Sequence, residues 1–223
     1  MDRAALDRPA VDAARAILGA TLVRIDARGR RAGRIVEVEA YAGPDDQASH
    51  ARAGRTPRNA VMFGRPGIAY VYLVYGMHDC LNVVTGPADS ASALLIRAVA
   101  PTEGVDLMRA DRLAWLGAHR RTIEPAAVAR EAERLERLSD LRLASGPGLV
   151  AAAFGIDRSA TGTDLLDPGS SLRLEGPSGS VATDAIETGP RIGVAYAGSP
   201  WAERPWRFAI AGDPSVSGPP VRR

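Results

Sequence analysis

Lysine is absent from this 223-residue sequence, and all 28 of its basic residues are arginine. Without lysine the chain has no side-chain amine for Schiff-base catalysis, which excludes enzymes that depend on one. Any phosphate contact made by a long basic side chain must therefore come from arginine. Because the formal net charge is only +2, binding to a polyanion would depend on a local patch of arginines and not on the overall charge.

Cysteine and long apolar runs are scarce as well. Cys80 is the single cysteine, which excludes an intramolecular disulfide and argues against a cysteine-based zinc site. No stretch approaches the roughly 18 uninterrupted apolar residues of a membrane span. Residues 1–9 carry charges where a signal peptide needs an apolar run. We therefore expect a cytoplasmic protein with no membrane partner, associated with the nucleoid if the source is a bacterium.

An alternating segment at residues 34–41 is the most informative feature that the sequence does contain. Alternation at a period of two predicts a half-buried strand. The core face of this strand would carry Val36, Val38 and Ala40. The opposite face would carry Ile35, Glu37, Glu39 and Tyr41. Two carboxylates and a phenol are costly to cover, so this face is predicted to line a groove or a site.

Tyrosine is concentrated in and near this segment. Residues 68–75 predict a second strand, with Tyr70 and Tyr72 on one face and Tyr75 on the other face at its end. Four of the five tyrosines of the chain lie in these two strands. A hydrophobic core does not require such clustering, whereas a surface that stacks flat rings would use it.

An arginine-rich loop lies between the two tyrosine-bearing strands. Residues 43–46 break the first strand, and Arg52, Arg55 and Arg58 then follow with no acidic residue among them. A run of this kind is either an ordinary solvated loop or a loop that tracks phosphates. Its position beside the tyrosine strand favours the phosphate interpretation.

The rest of the chain predicts a mixture of short helices and strands. Helices are expected at residues 9–18, at 103–117 with Thr102 as the N-cap, at 124–144 and at 149–154. Strands are expected at residues 20–26, 81–85, 93–99, 171–175, 191–195 and 207–211. The length suits a single domain over residues 1–212. Residues 213–223 lack periodicity and are predicted to be a disordered tail.

Three pairs of residues could carry chemistry: Glu39 with Tyr41, His50 with Tyr72, and Arg97 with Asn82. Gly-rich phosphate loops, Gly-x-Ser-x-Gly and His-x-x-x-His are all absent. A divalent metal could use oxygen ligands and one imidazole from Glu37, Glu39, Asp45, Asp46 and His50. Carboxylates beside a turn are common without metal, so we expect neither a metal nor another cofactor. The residues alone suit either a nucleobase hydrolase or a nucleic-acid-binding module.

Longer sequence motifs identify a protein family more specifically than these residue pairs do. Residues 34–46 read Arg-Ile-Val-Glu-Val-Glu-Ala-Tyr-Ala-Gly-Pro-Asp-Asp, and residues 66–77 read Pro-Gly-Ile-Ala-Tyr-Val-Tyr-Leu-Val-Tyr-Gly-Met. Thr-Pro-Arg-Asn at 56–59, Leu-Ile-Arg-Ala at 95–98, Gly-Pro-Gly at 146–148 and Arg-Ile-Gly-Val at 191–194 occur in the same order. Through these motifs, over about residues 5–212, the sequence resembles the alkyladenine (3-methyladenine) DNA glycosylase family.

The resemblance implies a role for each matching residue. Glu39 would be the general base that deprotonates the water attacking the sugar C1′, and Arg97 would lie beside that water and the target phosphate. The pocket for the extruded base would be formed by Tyr41, His50, Tyr72 and Asn82, with Asn82 crowding the 2-amino group of normal guanine. The carbonyl of Ile192 would be a further ligand to the water. Tyr75 would enter the duplex as a wedge, and Arg52, Arg55 and Arg58 would contact DNA.

The resemblance also implies a fold and a partner. The expected fold is a single α+β domain with a curved antiparallel β-sheet, edged by helices, from which the tyrosine hairpin protrudes. The expected activity is monofunctional excision of alkylated or deaminated purines from damaged double-stranded DNA, by a monomer without a cofactor, as the first step of base excision repair. A lesion-sensing DNA-binding module is the alternative, and release of the base distinguishes the two.

Two positions depart from the family pattern. Asp79 follows the proposed wedge where an apolar or aromatic residue is expected, and it would repel phosphates if it faced them. Leu149 replaces a basic residue that often follows the Gly-Pro-Gly motif, which would remove one contact to the DNA backbone. Both positions concern affinity for DNA and not the chemistry.

Overall fold

The computed structural model describes residues 1–119, 124–177, 179 and 181–219. Its helices are α1 (Ala10–Ile17), α2 (Val105–His119), α3 (Pro125–Arg137) and α4 (Pro147–Ala153). Its strands are β1 (Thr21–Asp26), β2 (Gly29–Ala42), β3 (Ala69–Val74), β4 (His78–Thr85), β5 (Ser92–Glu103), β6 (Leu172–Glu175), β7 (Ile186–Gly189) and β8 (Arg207–Ile210). Short 3₁₀ turns lie between them.

The strands form one antiparallel sheet that is organised around β2. The main strand order is β3-β4-β5-β2-β1-β6, and β8 pairs with both β2 and β7. β5 pairs along one edge of β2, while β1 and then β8 pair with successive halves of the other edge. The arrangement is the single α+β domain that the sequence resemblance implied.

The helices cover one face of the sheet. α1 buries Ala10, Ala13, Ala14 and Ile17, and their 3.6-residue periodicity is that of an amphipathic helix. These side chains join residues of α2, α4 and the sheet in the largest apolar cluster. On the opposite face a smaller cluster contains Ala51, Met62 and Tyr70 and packs beneath the loop between β2 and β3. The second face is therefore only partly covered, and the polar faces of β2 and β5 lie on it.

β2 departs from the regular alternation predicted for residues 34–41. The pairing between β2 and β5 shifts register between Ile35 and Glu37 and again between Glu37 and Val38. Ile35 therefore packs in the main core together with Val38, whereas Val36 packs in a different cluster. The prediction that Ile35 shares a face with Glu37 and Glu39 was wrong, because a β-bulge inserts an unpaired residue and exchanges the faces.

The segment boundaries also needed correction. Thr102 belongs to β5, and α2 begins only at Val105, because Gly104 reverses the chain with φ +73°. The helix predicted at 124–144 ends at Arg137, and residues 191–195 form turns instead of a strand. The backbone N–H of Ile192 binds a side chain there, which leaves it unavailable for a strand ladder. In the described part of the chain, no helix has both the length and the apolar character needed to cross a membrane.

Residues 213–219 differ from the disordered tail predicted there. Asp213 forms an ion pair with Arg34 at 2.6 Å, and Ser215 and Ser217 are buried. The backbone N–H of Ser217 donates to Glu37 at 2.6 Å. Buried polar partners elsewhere in the fold thus order a segment that has no periodicity of its own. Residues 220–223 of the predicted tail lie outside the described residues.

Candidate active site

The partly covered face of the sheet brings most of the predicted site residues together. In the strand register, Leu95 of β5 lies between Glu39 of β2 and Asn82 of β4. Asn82 is in turn opposite Tyr70 of β3. These residues are therefore cross-strand neighbours in one row across the sheet. The loop after β2 adds His50 to them.

Glu39 is completely buried and has three polar partners. Its Oε1 accepts a hydrogen bond from the Ile192 N–H at 2.7 Å and lies 3.1 Å from Nη1 of Arg97. Its Oε2 accepts from the Tyr41 hydroxyl at 2.9 Å. Burial raises the pKa of Glu39, while Arg97 and the two hydrogen bonds oppose this rise by favouring the carboxylate. A carboxylate with a raised pKa is a stronger base than an exposed glutamate.

Arg97 is held at each of its three guanidinium nitrogens. Nε donates to Glu37 at 2.9 Å, Nη1 pairs with Glu39 at 3.1 Å, and Nη2 donates to Ser217 Oγ at 3.3 Å. Arg97 lies within the otherwise apolar middle of β5, where a buried arginine needs partners, and these contacts provide them. A guanidinium bound in this way is fixed in position and orientation.

Aromatic rings form the wall of the cavity beside Glu39. The rings of His50 and Tyr72 meet edge to face, with centroids 4.4 Å apart and an interplanar angle of 80°. His50 Nδ1 lies 3.0 Å from the Tyr70 hydroxyl. Burial lowers the pKa of His50 to about 4, and Arg58 and Arg52 act in the same direction. The imidazole is therefore neutral near pH 7.

Two adjoining cavities share this wall. The inner cavity is lined by Tyr41, Ala48, His50, Met62, Tyr70, Tyr72, Asn82, Ala93 and Tyr196. The outer cleft has a volume of about 510 Å³ and extends from Tyr41, Tyr72 and Arg97 to Tyr75 and Ile192. Tyr41, Arg97 and Ile192, which all contact Glu39, line this cleft. Glu39 thus lies directly behind its lining.

Tyr75 is placed at the tip of the β3–β4 hairpin, at one end of the cleft. Its side chain is 85% exposed, and it adopts φ +51° beside Gly76 at φ +68°. A positive φ is uncommon for a residue with a β-carbon, and here it belongs to the tight turn between the strands. The result is an exposed ring next to the aromatic cavity.

Two of the three arginines in the loop after β2, Arg58 and Arg52, stack on rings that line the cavities. The guanidinium of Arg58 lies 5.6 Å from the ring centre of Tyr72, and that of Arg52 lies 5.2 Å from the ring centre of Tyr196. Arg55 stacks in the same way on Phe63 at 5.5 Å. Cation–π contacts of this kind hold the three side chains, and they leave the charges of Arg58 and Arg52 beside the cavities.

Asn82, Asp79 and Leu149 are also defined by the structure. The side-chain amide of Asn82 donates to the carbonyls of Tyr70 and Cys80 at 3.1 and 3.3 Å, which fixes it within the hairpin. Asp79 is only 3% exposed, with Arg158 3.9 Å away, so its carboxylate does not face outward as a phosphate-repelling group would. Leu149 is partly buried in α4.

Several residues of the site were missed in the sequence. Tyr196 lines both cavities, and its hydroxyl donates to the Ala48 carbonyl at 3.0 Å. Arg191 lies over the Tyr41 ring at 4.7 Å and binds Asp46 through both carboxylate oxygens. Tyr196 is the only tyrosine outside the two predicted strands, which was a usable signal. Nothing in the local pattern around Arg191 indicated its contacts.

The acidic residues considered as metal ligands have other partners. Glu37 and Glu39 bind Arg97, Asp46 binds Arg191, and Asp45 is exposed. Among the described residues, no group of three or more His, Cys, Asp or Glu side chains is arranged to hold a metal ion. The arginines occupy the oxygens that a metal would need.

Comparison with known proteins identifies the family. The family profile described as Methylpurine-DNA glycosylase (MPG) matches residues 4–214. A protein of Anaeromyxobacter dehalogenans, provisionally named a 3-methyladenine DNA glycosylase, is 46% identical over 93% of this chain and 80% of its own length. The mouse DNA-3-methyladenine glycosylase is 42% identical over 95% of this chain and 59% of its own length. The chain therefore belongs to the methylpurine-DNA glycosylase family and is a DNA N-glycosylase.

Proposed function

We propose that this protein turns alkylated or deaminated purine nucleotides out of duplex DNA and hydrolyses their N-glycosidic bond with a water molecule activated by Glu39. The observation that carries this proposal is the buried Glu39 carboxylate, paired with Arg97 directly behind a cleft walled by aromatic rings. A base inside a stacked duplex is not accessible to such a group, so extrusion of the nucleotide has to precede the chemistry.

In the proposed reaction, Glu39 takes a proton from the water as the water oxygen forms a bond to C1′. The bond from C1′ to the purine nitrogen breaks, and its electron pair leaves with the base. A purine alkylated at N3 or N7 carries a positive charge before cleavage and leaves as a neutral molecule, so it needs little acid catalysis. A neutral lesion such as hypoxanthine leaves with an extra negative charge, which a proton from solvent must neutralise. Arg97 would orient the water and the target phosphate, and the Ile192 carbonyl would be a further ligand to the water.

The cavity lined by Tyr41, His50 and Tyr72 suits a flat, positively charged base. A cation over aromatic faces gains about 0.5–2 kcal/mol. His50 adds no positive charge, because its lowered pKa keeps the imidazole neutral at physiological pH. Asn82, fixed in the hairpin by its two hydrogen bonds, would exclude the 2-amino group of guanine.

The hairpin tip and the arginines of the loop after β2 would hold the DNA. Tyr75 would fill the space in the stack that the extruded nucleotide leaves, at an unstacking cost of a few kcal/mol. Arg52, Arg55 and Arg58 would contact phosphates around the cavity. With no lysine in the chain, the product should be an intact abasic strand with no lysine imine on the pathway.

The proposal is tested with duplexes that each contain 3-methyladenine, 7-methylguanine, hypoxanthine or ethenoadenine. The expected result is release of free base and an abasic strand that stays uncleaved until it is treated with alkali. Borohydride added during the reaction should trap no covalent protein–DNA adduct. Binding to these duplexes without release of any base would contradict the proposal and support the lesion-sensing alternative.

A further inference from the structure

Glu37 is a buried carboxylate to which neither the sequence resemblance nor the proposed reaction gives a role. It is fully buried, two residues from Glu39 on the same strand. Its Oε1 accepts from Nε of Arg97 at 2.9 Å and from Nε of Arg207 at 2.6 Å. Its Oε2 accepts from the Ser217 N–H at 2.6 Å. Glu37 thus joins Arg97 to a segment 180 residues further along the chain.

The segment of residues 213–219 packs against the rear of the site. Arg207 donates from Nη2 to the carbonyls of Ser217 and Pro219. The Ser217 hydroxyl accepts from Nη2 of Arg97 at 3.3 Å. A β-carbon added at Gly218 would lie 2.7 Å from Cδ1 of Ile192. The segment is therefore in close contact with both Arg97 and Ile192, the two residues that bind Oε1 of Glu39.

The charges in this cluster are balanced. Glu37 and Glu39 supply two negative charges, and Arg97 and Arg207 supply two positive ones, all in residues at most 6% exposed. Without Glu37, the Nε of Arg97 would lose its carboxylate partner and could turn away from Glu39. Without the Ser217 hydroxyl, Nη2 of Arg97 would lose its hydrogen-bond acceptor.

We propose that Glu37 and Ser217 are positioning residues of the excision reaction, which hold the guanidinium of Arg97 against Glu39 by binding its other two nitrogens, Nε and Nη2. By this inference, the segment of residues 213–219 belongs to the active site, because its Ser217 helps to position Arg97. The inference rests on the proposed roles of Glu39 and Arg97. It goes beyond them by assigning a function to a carboxylate and a C-terminal segment that do not contact the substrate.

A double-mutant cycle tests whether Glu37 acts through Arg97. Glu37→Gln, Arg97→Ala and the double variant are compared with the parent in single-turnover excision of hypoxanthine, after titration of the active fraction. Loss of correct positioning reduces the rate constant of Glu37→Gln by about 10²-fold. If Glu37 acts through Arg97, the double variant should be no slower than Arg97→Ala alone. Losses that simply multiply would overturn the inference.

Ser217→Ala keeps the test decisive if Glu37→Gln does not fold. Removal of the hydroxyl should slow single-turnover excision by about 2- to 10-fold without changing the dissociation constant for lesion DNA. Ser215→Ala is the matched control, since Ser215 is buried in the same segment and its hydroxyl has no hydrogen-bond partner among the described residues. It should leave the rate constant unchanged. Equal effects of the two substitutions would indicate a purely structural role.

A measurement without turnover separates this inference from the proposed function. Arg97 lowers the pKa of Glu39, so loosening Arg97 in Ser217→Ala should move the Glu39 carboxyl titration to higher pH. ¹³C NMR can follow it, with Glu39→Gln identifying the signal. The other groups that face Glu39 are Glu37, Tyr41, Tyr72 and Cys80, and all remain in both serine variants.

The outcomes are distinct. A parent protein that releases no base contradicts the proposed function, and the titration then decides the positioning inference by itself. A parent that releases base, together with an unshifted titration in Ser217→Ala, overturns the positioning inference alone.

Discussion

Glu37 and Glu39 lie two residues apart on β2, and both are completely buried, yet their surroundings differ. Glu37 binds two arginines and a backbone N–H, and residues 213–219 pack over it. Glu39 binds one arginine, one backbone N–H and one phenol, and these partners line an open cleft. The two carboxylates make equal numbers of contacts, so the number of contacts does not distinguish a structural acid from a base.

The difference lies in charge and access. Two guanidinium groups balance the charge of Glu37 within the fold. Glu39 shares a single guanidinium with Glu37, so burial outweighs its partners and raises its pKa. We call the first region the charge cluster (Glu37, Arg97, Arg207 and Ser217) and the second the reaction region (Glu39, Tyr41, His50, Tyr72, Asn82 and Tyr75). Substitutions in the reaction region should change the rate of excision or the binding of DNA. Substitutions in the charge cluster should also change the stability of the fold.

Glu39→Gln should have the largest effect on activity. The amide is nearly isosteric but cannot accept the proton of the water, and removal of a general base costs about 10²–10⁴-fold in rate. Binding to lesion DNA should be retained. Single-turnover excision and a binding titration on the same duplex measure the two quantities. A variant that excises at the rate of the parent would show that Glu39 is not the base.

Arg207→Met should have the largest effect on stability. It removes one of the two arginines that neutralise Glu37, and breaking a buried ion pair costs about 3–5 kcal/mol in the free energy of unfolding. Urea denaturation measures this. Arg204→Met is the control, because the Arg204 guanidinium stacks on Trp201 and Trp206, a contact worth about 0.5–2 kcal/mol. Similar losses of unfolding free energy in the two variants would show that the charge cluster contributes no more to stability than the stacked Arg204.

Tyr75→Ser should affect DNA handling and leave stability unchanged, because the ring is 85% exposed. Unstacking costs a few kcal/mol, so excision from a stable pair should slow by about 10- to 100-fold. The same lesion in a mismatch or a single strand should be excised nearly as fast as by the parent. Uniform slowing on all three substrates would contradict a wedge role.

The pH dependence of excision should follow Glu39. Only the carboxylate accepts a proton, so excision should be at its plateau above the Glu39 pKa and fall by about tenfold per pH unit below it. Because burial raises this pKa above its ordinary value of 4.5, the acidic limb should lie above pH 4.5. His50 titrates at about 4 and should not contribute to that limb. Rates on a duplex that contains 3-methyladenine, a cationic lesion without a 2-amino group, measure the profile; a limb at or below pH 4.5 would contradict the assignment.

Chelation of divalent metal ions should have no effect on the rate of excision. The carboxylates near the site bind arginines, so excision in excess EDTA should equal that in buffer alone. Loss of excision that a divalent ion restores would bring Asp45, Asp46 and His50 back as metal ligands.

Much of the fold and the core of the site could be predicted from the sequence. The alternation around Glu39 and Tyr41 predicted a strand with a polar face, and residues 68–75 predicted the strand that carries Tyr70 and Tyr72 and ends near Tyr75. Both signals are local, because strand periodicity and turn residues act within a few positions of the chain. The absence of lysine likewise limits the chemistry through composition alone, since no fold can supply a side-chain amine that the chain does not contain.

Only the tertiary structure decided which face each β2 residue occupies and what binds the two carboxylates. The register shifts around Glu37 arise from pairing with β5, and no property of residues 34–41 alone specifies them. The Ile192 N–H reaches Glu39 across 153 residues, and the Ser217 N–H reaches Glu37 across 180. A buried carboxylate needs hydrogen-bond donors, and any part of the chain can supply them. The local sequence around the carboxylate does not specify which part does so.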